Sequence, residues 1–275
     1  MKHLLVVIPF LLSTVACVNL EPKGVEAQSG PAESPTVWQE PAIPLVASLE
    51  KAHQAEAFRQ KKAFAFDLQL SFGGEERLKA RITATTGSGR VRVDREDGTS
   101  LYYYRGEGYK MPSDSAWPGA RFDLLTWPYF AMAPFKFSDP GTNWESLSEA
   151  TEGEKSYARG KLTFGDGIGD APDDWYVAYQ DVETGLLEGL AYIVTFSRSQ
   201  KEAEKNPHAI RYSDYTKVDG IPMASRWTFW NWSEEKGFEG PMIGEATLSN
   251  IQFVDPDPDF FQPHEKAAPI PKEQM

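Results

Sequence analysis

From Phe64 onward the chain alternates apolar and other positions with a period of two. Phe64, Phe66, Leu68 and Leu70 fall on one face of a strand, and Gly73-Gly74 supplies a hairpin turn. The rhythm continues through Leu78–Thr86, Arg90–Arg95, Ser100–Arg105 and Gly108–Met111, parted by Gly87-Ser88-Gly89, Asp97-Gly98 and Gly106-Glu107. This predicts an antiparallel meander. It resumes at Ser156–Phe164 and Trp175–Asp181, turns at Val182-Glu183-Thr184-Gly185 into Leu186–Phe196, and runs on through Ala209–Val218, Ile221–Trp232 and Met242–Phe253. Two stretches depart from it. Leu45–Lys61 spaces Leu45, Leu49, Ala52 and Phe58 among charged residues, as an amphipathic helix does. Arg121–Phe137 crowds large apolar side chains around Pro128 and Pro134, and predicts two short helices joined at Pro128. The expected fold is mainly β, of the α+β kind, with roughly ten or eleven strands, and a sheet of that width must curl or close to manage its edges.

The first residues follow a different grammar. Lys2 is followed by the apolar run Leu4–Leu12, broken by Pro9, and by Ser13-Thr14-Val15-Ala16 before Cys17. This is a secretory signal, too short to span a bilayer. Cys17 is the only cysteine of the chain and stands at the cut site, where the segment resembles a bacterial lipobox, with Thr14 in place of the usual Leu. The resemblance implies lipidation of Cys17 and a membrane anchor, and Val18 in place of Asp implies sorting to the outer membrane, facing the periplasm. Export with an unmodified thiol is the alternative. Val18–Pro44, rich in Pro, Gly, Ser and Glu, reads as a disordered tether. The expected organisation is therefore a signal peptide over 1–16, a lipidated N-terminus and linker over 17–44, one β domain over 45–263 and a flexible tail over 264–275.

Composition narrows the function. The chain has 28 basic and 40 acidic residues, and loss of Lys2 with the signal leaves a net charge of −13. By net charge alone, neither nucleic acid nor anionic lipid headgroups are expected partners. With no cysteine beyond Cys17 there is neither a disulfide framework nor a thiolate zinc site. The remaining histidines, His53, His208 and His264, form no metal-binding pair, and no nucleophile elbow, phosphate loop or dinucleotide fingerprint occurs. No cofactor, no metal and no catalytic residue is expected. The Gly-rich Gly165–Asp174 offers four carboxylates, an oxygen-rich set suited to calcium, but without EF-hand spacing; Asp and Gly are equally turn residues.

The densest feature is Arg226–Trp232, where alternation places Trp227 and Phe229 on one face and Trp230 and Trp232 on the other. Such aromatics line a lipid or carbohydrate site or fill an ordinary core. Arg121–Phe137 offers Trp127, Phe130, Met132 and Phe135 as a lid that touches a ligand or plugs an empty cavity, or as a simple cap on the core.

The leading helix, the long meander, the helices midway, and the ending Asn250-Ile251-Gln252-Phe253 with Asp257–Pro263 together resemble the lipoprotein carrier superfamily of LolA, LolB and LppX-type proteins. Gly169–Tyr176, Asp181–Glu188 and Arg211–Trp232 look like an uncharacterised family of exported bacterial proteins thought to share that fold. The resemblance implies an unclosed half-barrel, its concave side covered by short helices, with an apolar cavity for acyl chains. It carries over no functional residue. The reading is a non-catalytic envelope lipoprotein holding a lipid or a lipoprotein acyl chain, with Trp127, Phe130, Trp227, Trp230 and Trp232 as ligand-binding candidates. A scaffold for another envelope protein and a carboxylate-based glycan hydrolase are the alternatives.

Overall fold

A computed structural model describes residues 40–272. The signal segment, Cys17 and the tether up to residue 39 lie outside the described residues. The described part is mostly β: thirteen strands form one antiparallel sheet in the order β13-β5-β4-β3-β2-β1-β12-β11-β10-β9-β8-β7-β6. It curls without closing, because the end strands β13 (Ala268–Ile270) and β6 (Thr142–Glu152) each pair on one side only.

The path explains the shape. Strands β1 (Ala63–Phe72), β2 (Glu75–Thr85), β3 (Val91–Asp94), β4 (Ser100–Tyr104) and β5 (Glu107–Met111) step outward by hairpins toward one rim. The chain then crosses to the opposite rim and steps back through β6, β7 (Lys155–Phe164), β8 (Tyr176–Asp181), β9 (Leu187–Tyr192), β10 (His208–Val218), β11 (Ile221–Ser233) and β12 (Gly237–Val254). There β12 pairs with β1. The crossing is made by one helix, α3 (Ala120–Met132), and a 3-10 turn at Ala133–Phe135.

The alternation seen in the sequence builds the core. Phe64, Phe66, Leu68 and Leu70 are buried on one face with Ile82, Val93, Leu101, Leu190, Ile210, Trp227 and Phe229, under the helices. A smaller cluster of Tyr157, Trp175, Val177, Tyr179, Ile193 and Trp232 occupies the other face. Strand β8, which feeds both clusters, is buried along its whole length.

Four local departures from the expected pattern have identifiable causes. The leading helix is two: α1 (Pro44–Ala52) ends at His53, and Gln54 takes a left-handed φ of 56° before α2 (Ala55–Arg59). His53 is fully buried, and its Nε2 accepts the Leu187 N–H at 3.0 Å, which ties the break to β9. In the other direction, Arg121–Phe137 contains one helix through Pro128 rather than two joined at it. Pro128 has no N–H for the Leu124 carbonyl, but burial of Leu124, Trp127 and Phe130 holds the helix across that gap. Strand β6 was not legible as a strand because it lies at the rim, is largely exposed, and has a bulge between Leu147 and Ala150 that breaks its period. Finally, Ala268–Ile270, within the segment expected as a flexible tail, pairs as β13 with β5.

Candidate functional site: a half-enclosed aromatic cavity under the crossing helix

Helix α3 is fixed to the sheet at several points. Asp123, with no exposed surface, accepts from Arg77 Nη1 and Nη2 at 3.1 and 3.0 Å, from Trp117 Nε1 at 2.9 Å and from Trp127 Nε1 at 2.8 Å. A buried carboxylate with that many donors is fully compensated. Near the other end of the helix the Tyr212 hydroxyl donates to the Phe130 carbonyl at 3.1 Å.

Between α3, the loop Gly165–Asp174 and strands β7 to β9 lies a half-enclosed cavity of about 360 Å³. This falls near the lower end of small-molecule sites, roughly 300–1,000 Å³. Its wall is aromatic: Phe130 lies 5.0 Å from Tyr192 between ring centroids, Tyr129 5.5 Å and Phe164 5.9 Å from Tyr176. Leu125, Pro128, Met132 and Val194 extend the apolar lining. The loop closes one side. Gly141 permits that closure: its φ is +88°, and a Cβ there would meet Ile168 at 2.6 Å.

Polar groups enter this lining at a few points. Asp174 accepts from the Thr195 N–H and hydroxyl at 2.7 and 2.8 Å, yet burial pushes its pKa up to about 6. Asp139 is also pushed up by burial, against the attraction of Lys136, with which it pairs at 2.5 Å. Burial raises the Tyr129, Tyr176 and Tyr192 hydroxyls above the usual tyrosine range, with the carboxylates of Asp139 and Asp174 adding to the effect at Tyr129. The Tyr129 hydroxyl and Asp139 Oδ1 are buried without a hydrogen-bond partner among the described residues. Arg121, 2 % exposed, pairs through Nε with Asp170 of the closing loop.

Of the candidates named from the sequence, Phe130 lines this cavity. Trp127 stands behind it, edge-on to Phe122 and Phe130, with its indole N–H committed to Asp123. Trp227 is fully buried in the same core beside Tyr212 and does not reach the lining. Trp230 is half-buried and donates to Thr228, while Trp232 belongs to the cluster on the opposite face, donating to the Tyr179 hydroxyl at 2.9 Å. Two of the four carboxylates of Gly165–Asp174 are engaged as well, Asp170 with Arg121 and Asp174 with Thr195. Among the described residues no three metal-ligating side chains converge, and no helix is long and apolar enough to cross a membrane.

The sequence reading missed Tyr176, Tyr192 and Phe164, because they lie on three strands and meet only through sheet register. It also missed Arg121 as a site residue. Its signal was present: Arg121 and Asp123 are the charged residues of an otherwise apolar helix.

No family model matches the chain, and neither does any curated protein. Solved structures do. A LolA superfamily protein from Nitrosomonas europaea is 12 % identical and aligns over 81 % of this chain and 99 % of its own, with a TM-score of 0.53. A putative outer membrane lipoprotein-sorting protein domain from Vibrio parahaemolyticus is 11 % identical over 79 % of this chain and 97 % of its own, at 0.48. A DUF1329 family protein from Desulfovibrio piger is 12 % identical over 80 % of this chain and 97 % of its own, at 0.47. The unclosed, helix-covered sheet of this chain is thus the LolA-like fold.

Proposed function

We propose that the protein is a non-catalytic lipoprotein of the cell envelope, anchored through Cys17 to the outer membrane on its periplasmic side, whose cavity holds a lipid or a lipoprotein acyl chain. The observation that carries this reading is the aromatic cavity under α3, apolar over most of its lining and partly open. The LolA-like fold agrees with it. In this reading Phe130 touches the ligand and Trp127 backs it, whereas Trp227, Trp230 and Trp232 stand outside the lining and hold the sheet.

Two measurements test it. Protein purified from envelopes in mild detergent carries a co-purifying lipid in native mass spectrometry, and the chain with Cys17→Ser, titrated with fatty acids or phospholipids, shifts its tryptophan emission. Absence of both a bound lipid and an emission change removes the ligand-binding reading. The mass of the mature N-terminus checks the anchor: an unmodified Cys17, or cleavage elsewhere, removes it. The long exposed rim strand β6 supports a second reading, a scaffold that pairs its free edge with another envelope protein. That reading gains if the chain binds no lipid and a protein partner protects the β6 amides from exchange.

A further inference from the structure

The guanidinium of Arg121 is the least compensated group of the cavity lining. Its Nε is held by Asp170, but Nη1 and Nη2 are buried and have no hydrogen-bond partner among the described residues. A buried donor left unpaired is costly, and a charged one more so. The surroundings are shaped around this side chain. Gly108 of β5 leaves it room, since a Cβ there would stand 3.2 Å from Nη1, and Tyr103 of the adjacent β4 lines the same end of the cavity. The remaining charged lining groups gather elsewhere. Lys136 is paired with Asp139, and Asp139 and Asp174 act on Tyr129, eight residues further along α3 or about 12 Å by helical rise.

We infer that the Tyr103–Arg121–Asp170 end of the cavity receives the anionic head, a carboxylate or a phosphate, of an amphiphile whose chain lies along α3. The inference rests on the cavity holding an acyl ligand and adds which end of it is read. A hydrocarbon leaves Nη1 and Nη2 unpaired, and a hydroxyl oxygen occupies only part of the guanidinium fork. A carboxylate or phosphate takes both nitrogens in the bidentate geometry that arginine presents, while Asp170 keeps Nε. The loop Gly165–Asp174, which Asp170 ties to α3, is the segment that must yield to admit the head.

The test compares hexadecanoate, hexadecyl phosphate and hexadecan-1-ol on the chain carrying Cys17→Ser, by competition against a fluorescent fatty alcohol. At least one anion binds about ten-fold or more tighter than the alcohol, the scale of a charge-assisted hydrogen bond. The tighter anion distinguishes a fatty-acid carboxylate from a lipid phosphate. Arg121→Met abolishes the preference, so that the anions bind no tighter than the alcohol. Asp170→Asn, which keeps the guanidinium and removes the competing carboxylate, maintains or strengthens it, and so serves if Arg121→Met does not fold. Equal affinities for all three ligands, a preference that survives Arg121→Met, or one lost in Asp170→Asn overturns the head-group assignment alone. Failure of all three to bind overturns it together with the cavity reading.

Discussion

Asp123 concentrates at one residue what holds the cavity's cover in place. Its four donors come from a strand, a loop and its own helix; both indoles are buried, whereas the Arg77 side chain is 37 % exposed and reaches water. Asp123→Ala therefore lowers the unfolding free energy by about 2–4 kcal/mol, chiefly because it leaves two buried indole N–H groups without their acceptor, while the part-exposed Arg77 turns to water. Urea denaturation measures this, and a loss under 1 kcal/mol would mean that water or another acceptor reaches these donors. The residue also marks a limit of sequence reading. A carboxylate within an apolar helix is conspicuous, but Arg77 lies 46 residues away in the chain and Asp170 lies 49 from Arg121. No local pattern joins such pairs. The tryptophans of β11 were legible as aromatic and as divided between two faces; which face meets the cavity depended on the path of α3.

At the scale of elements, eleven strand segments were readable from alternation and turn residues, and the two that were not share a cause. An edge strand contacts a core on at most part of its length, so selection for a strict period is weak there. Strand β6 carries a bulge and exposed Glu and Ser, and β13 is three residues long with Pro269 in the middle. Short as it is, β13 covers β5 at the Arg121 end of the cavity, where Ile270 lies opposite Gly108. A chain ending at residue 263 accordingly shows faster amide hydrogen exchange in β4 and β5, while β7 to β10 stay as protected as before. Unchanged exchange in β5 would mean that β13 contributes no protection to this rim.

For the molecule as a whole, two buried titrating groups oppose each other below neutral pH. Burial brings His53 down to about 4, so the unfolded chain, near its usual 6.5, takes up the proton first and acidification through that window favours unfolding. Asp174 is raised to about 6 against an unfolded value near 3.9, so the folded state takes up the proton first and acidification through its window favours folding. Asp174→Asn keeps the oxygen that accepts from Thr195 and removes the second effect. Between pH 6.5 and 4.5 the variant loses roughly 2 kcal/mol more stability than the unsubstituted chain. Denaturant midpoints across that range check it, and parallel profiles would place Asp174 at an ordinary carboxylate value.

The route of α3 from one rim to the other has a mechanical consequence. The curved sheet is a stave and the helix, with its flanking turns, is the string of the bow. A guest that outgrows the space beneath the string must either slacken it by shifting the loops at its ends or bend the stave and draw the rims toward each other. Where the stave bends, filling the cavity and moving β5 and β6 are one motion, and whatever grips either rim from outside then sets how large a guest the interior accepts.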